Sequence, residues 1–244
     1  MESFERRQAA ARERERWVAV YRSAPDVFLA FEAAEDPEGR VAARLAELGG
    51  IAGERVLELG CGTGWLTRQL APRAAGYVAL EPSAAMLGAA TGPAPRGLWG
   101  TVRGRAERLP FGPATFTRLV ASFVLLDLRA SLRTAVMGEA QRVLGPTPPG
   151  ASEPRFWVVE NHGTGEYQEL RGLVDADGGL GEATPLVREL GFELVEVVQT
   201  EYVFESADQT AAVLGAILGE EVRAELERRP RRRVGLDLGL FAAL

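Results

Sequence analysis

The feature that most constrains this chain is a nine-residue stretch, Val56-Leu57-Glu58-Leu59-Gly60-Cys61-Gly62-Thr63-Gly64. It leaves a short β-type run and enters a helix-forming one. Glycines at alternate positions let the backbone approach a ligand without side-chain clash. The amides that open the next helix attract an anionic group. Dinucleotide-binding turns carry G-x-G-x-x-G, whose third glycine packs the helix on the sheet. Here that position is Trp65, which is too large, and the glycines run G-x-G-x-G behind an acid, Glu58. The next β-type run ends in a second acid, Glu81, 17 residues after Gly64. A carboxylate there can accept hydrogen bonds from both hydroxyls of a ribose.

The rest of the chain alternates in the same way. Residues 1–48 read as helices rich in Arg, Glu and Ala, broken at Ser23-Ala24-Pro25 and stopped by Gly49-Gly50. Strands are expected over 55–59, 76–81, 97–103, 117–122, 155–160, 193–204 and 234–242. Helices are expected over 65–71, 83–90 (with Ser83 as N-cap), 130–144, 182–190 and 207–229. Residues 145–154 read as a proline-rich loop. Strands alternating with helices give an α/β fold with a mostly parallel sheet.

The acids at 58 and 81 suit a nicotinamide dinucleotide and S-adenosylmethionine about equally. Further motifs separate them. Glu81-Pro82-Ser83-Ala84-Ala85-Met86-Leu87, Arg105-Ala106-Glu107-Arg108-Leu109-Pro110-Phe111, Ala121-Ser122-Phe123-Val124-Leu125-Leu126 and Glu139-Ala140-Gln141-Arg142-Val143-Leu144-Gly145-Pro146 resemble class I S-adenosylmethionine-dependent methyltransferases. The nearer resemblance is to their small-molecule branch, which contains the ubiquinone- and menaquinone-biosynthesis enzymes. It covers roughly residues 50–160.

The resemblance implies a Rossmann-like methyltransferase fold with a seven-stranded sheet, helices on both faces and an N-terminal helical lid over 1–48, followed by a cofactor-binding domain over 49–244. It implies S-adenosylmethionine as cofactor, S-adenosylhomocysteine as product and a small-molecule acceptor. In the binding site it implies Gly60, Cys61, Gly62 and Gly64 around the methionine moiety, with Glu58 near its amino group. Glu81 and Pro82 fall at the ribose, Met86 against the adenine, and Ala106 and Glu107 at the adenine edge, while Ala121 or Ser122 offers a backbone carbonyl to the methionine ammonium and Phe123 borders the cofactor pocket. Two positions depart from the family. Arg105 stands where many relatives carry an Asp that meets the adenine amine, and an arginine cannot accept that bond. Thr117 also replaces a common Asp. Trp17, Tyr21, Phe28 and Phe31 are expected to line the substrate pocket if the first helices act as a lid.

Other residues have two readings. Met86 also suits plain core, and Cys61 a small buried filler. His162, just past the fifth strand, is a candidate general base or a loop histidine without a role. Asp127, past the fourth strand, is a candidate at the same sheet edge. The run from Arg228 to Arg233, broken by Pro230, suits an anion or RNA surface, or a solvated face beside Glu220, Glu221, Glu225 and Glu227. Two further functions stay open: methylation of RNA or protein, and non-catalytic cofactor or partner binding.

Composition narrows the classes. The chain has 244 residues, 46% of them apolar, enough to bury a sizeable core. One cysteine and one histidine exclude an intrachain disulfide and argue against a Cys/His metal centre. All 28 basic residues are arginine, so Schiff-base and Walker-lysine chemistry are excluded. The net charge of −6 argues against a nucleic-acid platform. No apolar run reaches the roughly 18 residues of a membrane span. The Arg-rich start lacks a following apolar stretch, so a cytoplasmic protein is expected.

Overall fold

The computed structural model describes residues 15–17, 19–21, 23–89, 93–125, 128, 130–147, 150, 153–174 and 187–243. Seven strands form one sheet: β1 (Arg55–Leu59), β2 (Gly76–Glu81), β3 (Leu98–Arg103), β4 (Arg118–Ser122), β5 (Phe156–Asn161), β6 (Glu193–Val203) and β7 (Arg233–Ala243). Their order is β3-β2-β1-β4-β5-β7-β6. The pairings β1–β2, β1–β4, β2–β3 and β4–β5 are parallel. β1 and β4 are the central, apolar strands, and Val56, Leu57, Leu59, Leu119, Val120 and Ala121 have no exposure. Buried parallel strands read this way because both faces are covered.

The helices are α1 (Pro25–Ala34), α2 (Arg40–Leu48), α3 (Trp65–Leu70), α4 (Ala84–Ala89), α5 (Ala130–Leu144), α6 (Glu166–Val174), α7 (Ala207–Leu218) and α8 (Glu220–Arg228). Each observed strand lies within a residue or so of its expected range. Ser83 caps α4 as the sequence predicts, accepting from the Met86 amide at 3.3 Å. α5 ends at Gly145, whose φ of 66° lets its amide return to the Gln141 carbonyl at 3.0 Å. The helix expected over 207–229 is instead two. Gly219, at φ 129° and ψ 176°, interrupts it, and Gly215 lets the second pack close: a Cβ there would lie 2.7 Å from Arg223 Cβ. Ser206 caps α7 through the Gln209 amide at 3.1 Å, and Gln209 reaches back to the Glu205 amide at 2.8 Å. Helix α6 has no counterpart among the helices expected from the sequence. Of the helix expected over 182–190, residues 182–186 lie outside the described residues.

The chain forms two compact units, and they cross the sequence-based division at residue 48. One joins Gly39–Glu160 with Thr184–Val198 and Gly239–Leu244. It holds β1 to β5 and α2 to α5. The other joins Met1–Glu38 with Asn161–Ala183 and Gln199–Leu238. Its core is aromatic. Phe31 lies 4.7 Å from Tyr202, 6.4 Å from Tyr167 and 5.1 Å from Trp17 between ring centroids. Phe31 and Tyr202 are buried. Asp36, just past α1, accepts from Thr200 Oγ1 at 2.7 Å and donates its amide to the Glu201 carbonyl at 3.2 Å.

Phe31 is thus a core residue of its own unit. Phe31→Ala should lower unfolding stability by about 3–5 kcal/mol, measured by denaturant titration. A loss below about 1 kcal/mol would mean the ring is not part of that core.

Candidate functional site

The glycine turn is built by backbone bonds that only glycine tolerates. Gly60, Gly62 and Gly64 have φ of 71°, 57° and 95°, all in the left-handed region. A Cβ at Gly60 would also run into Val124 Cγ2. The amides of Gly60 and Cys61 both donate to the Leu80 carbonyl, at 2.7 and 3.0 Å. This draws the exit of β1 against the exit of β2. Gly62 then donates its amide to Glu81 Oε2 at 3.1 Å, and Glu81 Oε1 accepts from the Ser83 amide at 2.7 Å. Glu81 is 2% exposed. The turn and the second acid, 17 residues apart in sequence, are therefore one site. Cys61 is buried with its thiol 3.8 Å from the Gly62 carbonyl.

Glu58 lies deeper. It has no exposure, and its Oε2 accepts from the Thr67 hydroxyl and from Tyr77 at 3.0 Å. Its Oε1 is buried with no hydrogen-bond partner among the described residues. Burial pushes the carboxyl up to about 7; the Thr67 and Tyr77 hydroxyls and Arg68 act against that, while Glu81 adds to it. A buried carboxylate oxygen lacking a donor suits an ammonium group, such as the amino group of a methionine moiety.

The other expected residues fall around this centre. Pro82 is exposed and Met86 has no exposure. Ala106 is buried, and Glu107 pairs with Arg105 at 3.5 Å. Arg105, replacing the family Asp, points outward with its side chain 74% exposed. Ser122 pairs in register with Val159. Phe123 takes φ 55°, strained for a non-glycine residue. Its amide donates to the Val159 carbonyl at 3.0 Å, and its ring lies 6.4 Å from Trp65.

Glu139 and Arg142 belong to a motif whose residues have no role legible in the sequence, and the structure supplies one. Glu139 accepts from the Leu109 amide at 2.6 Å. Arg142 donates to the carbonyls of Phe111 and Leu109 at 2.6 and 3.1 Å. The two side chains are paired at 2.7 Å, and the Arg142 guanidinium holds the Glu139 carboxyl below the usual range. Helix α5 thereby pins the loop that carries Ala106 and Glu107. Thr117, the other departure, also has a function: its hydroxyl accepts from the Arg55 amide at 2.9 Å and donates to the Arg55 carbonyl at 3.2 Å.

In the other unit, His162 is half-buried, with Nδ1 3.1 Å from Thr164 Oγ1. Asp127 lies outside the described residues. The arginine run is largely paired with acids. Arg228 and Arg229 meet Glu225, Arg231 meets Glu166 at 2.7 Å, and Arg233 meets Glu201. Two of those acids, Glu166 and Glu201, come from elements that proximity in sequence did not suggest. Among the described residues no group of three or more His, Cys, Asp or Glu could hold a metal. No helix among them is long and apolar enough to cross a membrane.

Residues 56–147 match the family described as "Methyltransferase domain". An uncharacterized methyltransferase of Synechocystis is 35% identical over 94 residues, 38% of this chain and 43% of that protein. The chain thus spans less than half the length of that curated relative. Among solved structures, an S-adenosylmethionine-dependent methyltransferase of Leishmania major superposes with a TM-score of 0.54 at 16% identity, covering 96% of this chain and 82% of that one. The [4+2]-cyclase SpnF superposes with a TM-score of 0.52 at 18% identity, covering 84% and 80%. At these identities the likeness shows the fold: α/β, Rossmann-like, of the methyltransferase type.

Burial of Glu58 makes the stability of the protein depend on pH. A carboxyl raised from 4.5 to about 7 by folding binds its proton more tightly in the folded state. Its contribution is fully present below pH 4.5 and is lost as the pH rises through about 7. The loss is about 3 kcal/mol. Glu58→Gln, which mimics the protonated acid, should match the wild type near pH 4.5 and exceed its stability by about that amount above pH 7.5. A pH-independent difference between the two in denaturant titrations contradicts this.

Proposed function

We infer that this chain, whose residues 56–147 match the methyltransferase-domain family, transfers a methyl group from S-adenosylmethionine to a small-molecule acceptor. One observation carries the reading: the Gly60–Gly62–Gly64 turn bonded through the Gly62 amide to the buried carboxylate of Glu81. When bound, S-adenosylmethionine supplies an electrophilic methyl group attached to sulfur.

The chain's own residues bind and orient. Gly60, Cys61, Gly62 and Gly64 offer backbone to the methionine moiety, and the unpartnered Glu58 Oε1 suits its ammonium. Glu81 accepts from the ribose hydroxyls, with Pro82 beside it. Ala106 and Glu107, held by the Glu139–Arg142 pair, border the adenine, and buried Met86 backs that region. Ser122 and the strained Phe123 form the wall at the end of β4. Catalysis here is chiefly holding donor and acceptor in line and excluding water. His162 is the candidate base of this reading. Residues 1–48 are the candidate cap, and the cytoplasm the expected compartment.

Two observations favour a small acceptor over RNA. The net charge is −6, and most of the arginine run is neutralised by Glu225, Glu166 and Glu201. The cyclase among the fold's neighbours is a reminder that fold alone does not fix the reaction.

Charged hydrogen bonds are worth about 1.5–3 kcal/mol. Glu81→Ala should therefore weaken S-adenosylhomocysteine about 10–150-fold in calorimetry while the variant unfolds as cooperatively as the wild type. Affinity within about twofold of wild type would contradict the ribose assignment. Transfer of labelled methyl into a small-molecule cell extract, and none into RNA, is the matching activity test.

A further inference from the structure

Two hydroxyls converge on one oxygen of Glu58. Thr67, on α3, and Tyr77, on β2, both donate to Oε2, Tyr77 at 3.0 Å. Oε1 has no donor among the described residues. Glu58, Tyr77 and the in-register neighbours Ala79 and Val120 have no exposure, and Thr67 is buried. Bulk water therefore does not reach the carboxyl to even out the difference between its oxygens. All of these residues lie in the compact unit that carries the glycine turn and Glu81.

Proton accounting follows from this asymmetry. A carboxyl oxygen offers two lone-pair sites, and both of those on Oε2 are taken. When the acid is protonated, its hydrogen therefore sits on Oε1. Burial favours that protonated form up to a pH of about 7. Burial, with the Glu58 charge beside it, also holds the Tyr77 phenol well above its usual range, so Tyr77 remains a donor throughout. The other charged or titratable groups that act on this pair are Arg68 on α3, Glu81 on β2 and the Cys61 thiol in the turn. Arg68 donates to the Thr63 carbonyl at 2.8 Å, and Glu81 accepts from the Gly62 and Ser83 amides.

We propose that Thr67 and Tyr77 are positioning residues for the cofactor's amino group: by occupying Oε2 they leave Oε1 as the one acceptor for its ammonium, which binds there only when the proton on Oε1 has left. The proposal rests on the methyl-transfer reading for the identity of the ligand. Proton and ammonium compete for a single atom. On binding, the Oε1 hydrogen passes to solvent, and an N–H of the ammonium donates to Oε1 in its place. The two hydroxyls stabilise the ionised carboxylate and so set the pH at which this exchange occurs.

The test is calorimetric titration of the full chain with S-adenosylhomocysteine at pH 6 and pH 8, in buffers of different ionisation enthalpy. The amino group of this ligand stays protonated over that range. With a carboxyl that titrates at about 7, affinity should fall about tenfold from pH 8 to pH 6, and binding at pH 6 should release about 0.9 proton per ligand. 5′-Methylthioadenosine, which keeps the nucleoside and the sulfur but has no amino group, should bind equally at both. Tyr77→Phe and Thr67→Val each remove one donor to the charged form. Each should move the midpoint of the fall upward by about one pH unit, weakening binding about tenfold at pH 6 and only about twofold at pH 8. A loss of packing alone would weaken both equally. Thr67→Ser should restore the wild-type profile, and Glu58→Gln should release no proton. Wild-type affinity that is equal at the two pH values, with no proton released, overturns the proposal and requires no variant to fold. So does the same pH slope with 5′-methylthioadenosine, or a Tyr77→Phe loss of equal size at both. A folded wild type that binds S-adenosylhomocysteine at neither pH is a different result: it removes the methyl-transfer reading, and the proposal falls with it.

Discussion

Two amides, those of Gly60 and Cys61, share one acceptor, the carbonyl of Leu80. That convergence turns the chain sharply at the end of β1 and brings it against the end of β2. It requires a left-handed backbone at Gly60, and a side chain there would meet Val124. With the turn in place, the Gly62 amide meets Glu81 and the Thr67 hydroxyl of the next helix meets Glu58. A substitution at Gly60 would displace both acids together, because they are positioned through the same bend.

The two carboxylates are held in different ways, and that separates their chemistry. Glu81 takes two backbone amides, one on each carboxylate oxygen. Glu58 is enclosed by apolar strand residues and takes only hydroxyl donors on one oxygen. Its acidity is weakened mainly by burial. A buried acid with an unsatisfied oxygen costs stability unless a ligand completes it. The same stretch of β1 that gives the sheet its apolar centre thus carries a destabilising group at a candidate binding site, as sites that trade stability for function do.

Local chemistry was legible in the sequence wherever a residue's role depends on near neighbours. The strand at 76–81, the helix at 130–144 and the cap at Ser83 follow from periodicity and side-chain type, and the structure has them. The glycine turn was legible because three glycines at alternate positions have few other uses. Roles that depend on distant partners were not. Glu139 and Arg142 look like an ordinary helical pair until the loop they hold is seen at Leu109 and Phe111. Asp237 carries no local signal at all, since only the fold brings it to Thr164. The long helix predicted over 207–229 failed for a subtler reason. A single glycine inside a helical pattern is tolerated at a cost of about 1 kcal/mol, and nothing nearby marked Gly219 as the break. The ring contacts of Phe31 with Tyr202 and Tyr167 are likewise invisible in the sequence, because those partners lie more than 130 residues away.

The account turns on what the glycine turn and Glu81 hold. Calorimetric titration of the purified wild-type chain with S-adenosylhomocysteine, with NAD as the control, asks that question most directly. The account predicts micromolar binding of the first and none of the second. A folded protein that binds neither, or that prefers NAD, would contradict it.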